Sequence, residues 1–263
     1  MRLLSIAAGT ILDVDPAAAV DVAFAAGFPA VGIWFDPSTW TASVASTVRS
    51  RLDATGVIAL DVEPIMLAPT DGPPDHGERI IDAALSIGAR NVLVASRDSD
   101  RARVASRLHA LASRVGGADL RIVLEFLPVL AIKTLPDALS VVNAAAHPAL
   151  GVLIDSLHLS RAGHVPDDLR EVDPCLLPYV QLCDAPFTPA DTSLPTLLHE
   201  ALHGRLLPGD GGLPIRELLD IVANVPVSME LRSESLRSTY PDPVDRARAL
   251  YAATVPYLRD VAV

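Results

Sequence analysis

Cysteine occurs only twice in the 263 residues, at Cys175 and Cys183. That is too few for the disulfide scaffold of a small secreted domain. Both stand near an apolar run, read as small core residues, and suit a reducing cytoplasm, the compartment expected here. Lysine occurs once, at Lys133, against plentiful arginine. With the abundance of Ala, Val and Pro, this skew reads as codon usage from a GC-rich genome. Positive charge is short overall: 21 Lys and Arg face 32 Asp and Glu, a net charge of −11. Such a chain repels phosphate backbones, which excludes non-specific nucleic-acid binding. No apolar run reaches the ~18 residues that span a bilayer, so no membrane partner is expected. The opening Met1–Ala8 segment has the single charge and short apolar stretch of a leader. Asp13 and Asp15 follow at once, and a buried first strand is the better reading. After that strand, Ala8-Gly9-Thr10 lacks the G-x-G-x-x-G of a dinucleotide-binding sheet.

What the chain does have is apolar mass, 50% of its residues, and a repeated pattern. An apolar run, a loop and an Ala/Leu-rich amphipathic segment recur eight times. The strand-like runs are Leu3–Ala8, Ala30–Phe35, Val57–Ile65, Asn91–Ser96, Arg121–Phe126, Gly151–Asp155, Tyr179–Asp184 and Val227–Leu231. They are near-continuously apolar, as parallel strands buried on both faces are. Helices are predicted over 16–27, 43–55, 75–87, 99–115, 136–146, 166–172, 214–222 and 243–258. Asp15-Pro16 opens the first as N-cap and N1, and Gly27, Gly56 and Gly88 close the first three. Eight β/α rounds in a chain of this length predict an α/β fold, a single (β/α)8 TIM barrel filling residues 1–263 as one domain.

In such a barrel the chemistry sits at the C-terminal strand ends. Strand five ends in Glu125, strand six in Asp155, strand seven carries Gln181 and strand eight Glu230. Each is a hard oxygen donor among apolar neighbours. Buried carboxylates are costly unless paired or bound to metal, and three converging on one rim repel one another. One divalent cation resolves this, and all-oxygen ligation favours Mn²⁺ or Mg²⁺ over Zn²⁺. The plainer alternative is that each acid caps a helix or pairs with an arginine.

The segments Val123-Leu124-Glu125, Asp155-Ser156-Leu157-His158, Val180-Gln181-Leu182-Cys183-Asp184, Arg205-Leu206-Leu207-Pro208-Gly209-Asp210-Gly211 and Val227-Ser228-Met229-Glu230 make the chain resemble the xylose-isomerase-like, AP-endonuclease-2-type barrel superfamily of sugar-phosphate isomerases and epimerases. The resemblance implies one metal held by Glu125, Asp155, Gln181 and Glu230. It implies Glu125 and Glu230 as the catalytic pair, exchanging a proton through an enediolate, and His158 as a contact to substrate oxygens. Where the family usually has histidine this chain has Gln181, a neutral oxygen donor acceptable to Mn²⁺ or Mg²⁺. The arginine that follows in several ketose epimerases is absent; the region reads Ala185-Pro186-Phe187. The activity implied is a metal-dependent isomerase or epimerase of a small polyhydroxy carbonyl compound. If a β-hydroxyl leaves instead, the same site is a dehydratase of an inosose or a dehydroshikimate-like substrate. A non-catalytic barrel is the bland alternative, and a homodimer stays open.

His199-Glu200-Ala201-Leu202-His203 is a literal H-E-x-x-H, which on a helix would make a zinc protease. It lies in a long loop after strand seven, lacks the glycine continuation at Leu206, and also reads as a surface turn. Arg205 beyond it reads either as a substrate contact or as an ion-pair partner. A DNA-repair endonuclease of the same superfamily would need more histidines at strand ends and a basic groove. Trp34 is a candidate wall for a sugar ring or a core aromatic, and Glu63 a candidate ligand for substrate hydroxyls. Lys133 reads as a solvated loop residue, and His76, His109, His147 and His164 are given no role.

Overall fold

The computed structural model describes residues 2–259. Eight parallel strands close into a barrel in sequence order: β1 Leu4–Ile6, β2 Ala30–Trp34, β3 Ile58–Leu67, β4 Asn91–Ser96, β5 Arg121–Glu125, β6 Leu150–Asp155, β7 Val180–Leu182 and β8 Val227–Met229. Around it run α1 Pro16–Ala26, α2 Ala42–Thr55, α3 Gly77–Ile87, α4 Arg101–Val115, α5 Leu135–Ala145, α6 Ser156–Arg161, α7 Leu194–His203, α8 Ile215–Ile221, α9 Glu234–Thr239 and α10 Pro243–Arg259. The punctuation residues act as expected. Asp15 accepts from the backbone of Ala17 and Ala18, and Gly27 and Gly56 end α1 and α2 in the left-handed region. No helix among the described residues is long and apolar enough to cross a membrane.

The apolar residues divide into two cores. One lies between barrel and helices. The other fills the barrel floor with Ala30, Leu60, Leu93, Val123, Leu153 and Tyr179. Register carries this inward face up to the rim. Asp155 pairs with Gln181, Gln181 with Ser228, Ser228 with Ser5, and Ser5 with Ala30 of the inner core. Glu125 pairs with Leu153 of the same core. Laterally paired residues share a face and a strand alternates faces with period two. Glu125, Asp155, Gln181 and, two residues after Ser228, Glu230 therefore all turn into the barrel.

Four helical segments depart from the sequence reading. α6 starts directly on β6 because the Asp155 carboxylate caps it, accepting from Leu157 and His158. The helix expected near 166–172 is a 3₁₀ turn, Pro166–Glu171. The segment read as a loop after β7 contains α7, opened by the Ser193 cap with proline in its first turn. That cap-and-proline signature was present in the sequence. α9 likewise opens on a serine cap, Ser233. Cys183 is buried as expected, but Cys175 is exposed in a short turn before β7.

Candidate active site

The strand ends surround a cavity of about 490 Å³ at the C-terminal mouth. Both acids expected to be catalytic, Glu125 and Glu230, line it, together with all four residues expected to touch substrate: His158, Arg205, Glu63 and Trp34. Asp155 and Gln181 lie outside that lining and have no exposure at all.

Glu125, Asp155 and His158 each present one ligand atom such that the three atoms lie within 4.8 Å of one another. Among the described residues this is the one such group of His, Cys, Asp and Glu. His158 Nε2 stands 4.0 Å from Glu125 Oε1. Gln181 is next to Asp155 in register, and both atoms of its amide are buried with no hydrogen-bond partner. Glu125 Oε1 is also buried and unpartnered. Such orphaned polar atoms are rare in a folded interior and call for a ligand. The chemistry of Glu125, Asp155 and His158 fits a divalent cation, and the unpartnered Gln181 amide is a further oxygen donor on the neighbouring strand. His158, expected from the sequence to touch substrate, lines the cavity and also stands against Glu125 and Asp155.

Arg205 is the organiser that the sequence left ambiguous. It is almost fully buried and ends the segment after α7. Its Nη1 donates to Asp155 Oδ2 at 2.6 Å and to the Glu230 carbonyl at 3.2 Å, and its Nη2 lies 3.1 Å from Glu230 Oε2. Its Nε donates to the Ala201 carbonyl, tying the guanidinium to α7. Nη2 also meets His158 Nε2 at 3.4 Å. Arginine has no lone pair to offer, so Nε2 is the acceptor and the ring is unprotonated there. Asp155 thus does what the plainer reading of these acids foresaw, capping α6 and pairing with an arginine. Glu125 does neither.

Protonation follows from this geometry. Burial works against the charge of Asp155, but Arg205 and the two helix N–H groups hold it below the usual carboxylate range. Burial raises Glu230 in spite of Arg205. Glu125 is pushed well above the ordinary range by burial and by the nearby Glu230 and Asp155 charges. Burial brings His158 down to about 4, so it is neutral at pH 7.

Several contributors went unread in the sequence. Arg232 sits 3.6 Å from Glu230 Oε1, with its guanidinium 5.5 Å from the Trp34 ring centre. Gly9 lies so close to Glu230 that a Cβ there would come within 2.6 Å of Oε1. Thr10 donates to the Met229 carbonyl and accepts from Leu231, bracketing Glu230 from both sides. Tyr179 donates to Asp61 Oδ2 at 3.1 Å beneath Glu63. Asp61 stands two residues before Glu63 in an apolar strand, and that period of two was the signal for it. Asp184, part of the Val180–Asp184 segment, accepts from four backbone N–H groups, those of Ala185, Gly209, Gly211 and Leu213. It folds the Pro208–Gly212 loop. In the H-E-x-x-H segment, both oxygens of Glu200 are taken by Arg161 at 2.6 Å, and His203 pairs with Glu234.

The profile described as xylose isomerase-like TIM barrel matches residues 20–259. The chain belongs to this family. It is 28% identical to the 3-dehydroshikimate dehydratase of Pseudomonas putida and 29% identical to that of Pseudomonas aeruginosa, each over 188 residues. The match covers 67% of this chain but 29% of either relative, so the chain corresponds to under a third of their length. Among solved structures, a xylose isomerase-like TIM barrel/4-hydroxyphenylpyruvate dioxygenase fusion protein superposes with a TM-score of 0.81 at 23% identity. That superposition covers 97% of this chain and 42% of the fusion. The likeness establishes the fold.

Proposed function

We propose, with membership of the xylose isomerase-like barrel family as the premise, that this chain is a divalent-metal-dependent enzyme acting on a small polyhydroxy carbonyl compound by removing a proton next to the carbonyl. The observation that carries the reading is the pair of orphaned buried donors, Glu125 Oε1 and the Gln181 amide, beside Asp155 and His158. Those four residues would hold the ion, with Glu230 completing the set assigned from the sequence; oxygen-rich ligation favours Mn²⁺ or Mg²⁺. When bound, the ion supplies Lewis acidity toward substrate oxygens.

The protein's own groups divide the remaining work. Glu230 and Glu125 both face the cavity and both sit above the ordinary carboxylate range. One ionised and one protonated carboxyl is the state that like charges in a dry site favour. The ionised member takes the proton and the protonated one returns a proton to the substrate or to a leaving hydroxyl. Arg205 keeps Asp155 and Glu230 in place, and neutral His158 presents a ring nitrogen without adding charge. Trp34 and Glu63 offer a flat wall and a hydroxyl acceptor to the polyhydroxy body.

Two outcomes share this chemistry. Return of the proton on another face or carbon is isomerisation or epimerisation, which the two-glutamate arrangement supports. Departure of a β-hydroxyl is dehydration, and the two dehydratase relatives tip the balance toward it. The test is Mn²⁺ titration by calorimetry on wild type, Gln181→Ala and Glu230→Gln, followed by incubation of the loaded wild type in heavy water with 3-dehydroshikimate, ketohexoses and inososes. We expect one high-affinity ion in the wild type, at least tenfold weaker binding in Gln181→Ala, and either deuterium incorporation or water loss. A wild type that binds no ion overturns the reading.

A further inference from the structure

The cavity has acids on both sides, Glu125 and Glu230 at the β5–β8 side and Glu63 and Asp75 on the other, and an unanswered cation on that second side. Arg97 follows β4 directly and lines the cavity. Its backbone N–H donates to the Leu67 carbonyl. Its exposed guanidinium has no hydrogen-bond or ion-pair partner among the described residues. The acids around it are already taken. Asp98, one residue on, is gripped by Arg103 at 2.5 and 2.6 Å. Asp75, which lines the cavity, is gripped by Arg107 at 2.8 and 2.9 Å, and Glu63, the other acid on that side of the lining, accepts from the Gly9 N–H. Of the other arginines of the cavity, Arg205 is held by Asp155 and Glu230, and Arg232 forms a looser 3.6 Å ion pair with Glu230, its Nε without a hydrogen-bond partner.

Position gives this cation a function. In a closed barrel of eight strands, β4 stands across the mouth from β8, so Arg97 faces the Glu230 end over an apolar middle that includes Met66, Leu127 and Leu130. The chain's net charge of −11 repels anions at long range. An anionic group held in this mouth therefore needs a local, uncompensated donor, and a guanidinium fork matches a carboxylate or a phosphate.

We propose that Arg97 is a specificity-determining subsite for a carboxylate or phosphate on the substrate, which sets the distance from that anion to the carbon presented to Glu125 and Glu230. This rests on the reading that the cavity takes a small polyhydroxy carbonyl compound. An anion anchored by Arg97 leaves the carbonyl end of the molecule to the β5–β8 side.

The experiment measures binding, not turnover. Mn²⁺-saturated wild type, Arg97→Met and Arg97→Lys are titrated by calorimetry with 3-dehydroshikimate, D-fructose 6-phosphate and D-fructose. These probes carry a carboxylate, a phosphate and no charge. The wild type should bind at least one anionic probe more tightly than D-fructose. Arg97→Met should weaken that probe by about 10- to 100-fold, the effect of losing a charge-assisted hydrogen bond, while leaving D-fructose unchanged. Arg97→Lys should recover part of the loss. The anionic arm that responds identifies the group. The proposal falls if the neutral probe binds as well as both anions, if none of the three binds, or if Arg97→Met shifts neutral and anionic probes alike or not at all. Arg97 is exposed and touches no ligand candidate, so its substitution should leave the ion affinity unchanged. If the wild type binds no ion yet loses its anion preference in Arg97→Met, the functional reading fails and the subsite stands.

Discussion

The two halves of the barrel interior handle buried acid in opposite ways. On the β5–β8 side, Asp155 and Glu230 share one arginine, and Asp155 also takes two helix N–H groups. On the β1–β4 side, Asp61 and Glu63 are as deeply buried, but no arginine or lysine lies within ion-pair distance of either among the described residues. Asp61 has the Tyr179 hydroxyl and Glu63 the Gly9 N–H. Burial raises Asp61 to about 7, and burial with the Asp61 and Glu230 charges raises Glu63 well above its ordinary range. One half is built to hold charge, with an arginine in place and room in its donor set for a cation. The other half keeps its acids protonated by withholding a counter-charge. Glu125 stands at the border, crowded by acids and touched by no arginine, so its charge is less compensated than that of Asp155 or Glu230.

The most direct way to break this contrast is Arg205→Met. It strands two buried carboxylates, and removing one partner of a buried ion pair costs about 3–5 kcal/mol. Urea unfolding at pH 7 should show a loss of that order. Asp155→Asn in the same background should recover part of it, because the stranded charge is gone. Mn²⁺ should raise the unfolding midpoint of Arg205→Met by more than it raises that of the wild type. An unchanged midpoint in Arg205→Met would mean that the arginine is not what holds the charged half together.

The neutral half is tested by pH. Asp61 has a folded pKa of about 7 against an unfolded value of 3.8. A raised pKa in an acid means that the folded state holds the proton longer. The stability tied to this group is therefore full below about 4, falls as pH rises toward 7, and is flat above that. Asp61→Asn cannot ionise. Its unfolding free energy should match the wild type near pH 4 and exceed it above pH 7, by up to about 4 kcal/mol. A constant difference at all pH values would place a charged Asp61 in the fold and erase the asymmetry between the halves.

How much of this was legible depended on what each residue answers to. The strands follow from apolar runs alone, and β4 was read to the residue because Asn91 and Ser96 bound it sharply. The positions of Glu125, Asp155, Gln181 and Glu230 were readable because a single hard donor in an apolar strand end is visible by contrast. The pairing of Arg205 with Asp155, 50 positions apart, was not, since a loop arginine carries no mark of where its guanidinium folds back. His158 was read as a substrate contact from the family resemblance, and its place beside Asp155 was not legible because α6 was not foreseen. Once Asp155 caps that helix, a residue three positions on returns beside the carboxylate. Asp61 lies inside β3 and not at its end, where it carries no contrast of the kind that marks the rim acids, although its spacing of two from Glu63 puts it on the same inward face.

The smallest effect expected is the one that separates the barrel site from the sequence's loudest decoy. His199 and His203 stand one helical turn apart on α7, with ring centres 5.4 Å apart. The glutamate between them is locked to Arg161 and unavailable as a base. His203 leans on Glu234, and the described residues offer these histidines no third ligand within coordination spacing. His199 is exposed. His199→Ala should alter the unfolding free energy by less than about 0.5 kcal/mol, the ordinary range for a surface change, and leave bound Mn²⁺ at wild-type stoichiometry. Loss of the ion with His199, measured by elemental analysis beside Gln181→Ala, would move the metal centre out of the barrel to α7. The charged half would then hold its acids with Arg205 alone, and the orphaned Gln181 amide and Glu125 Oε1 would need another occupant.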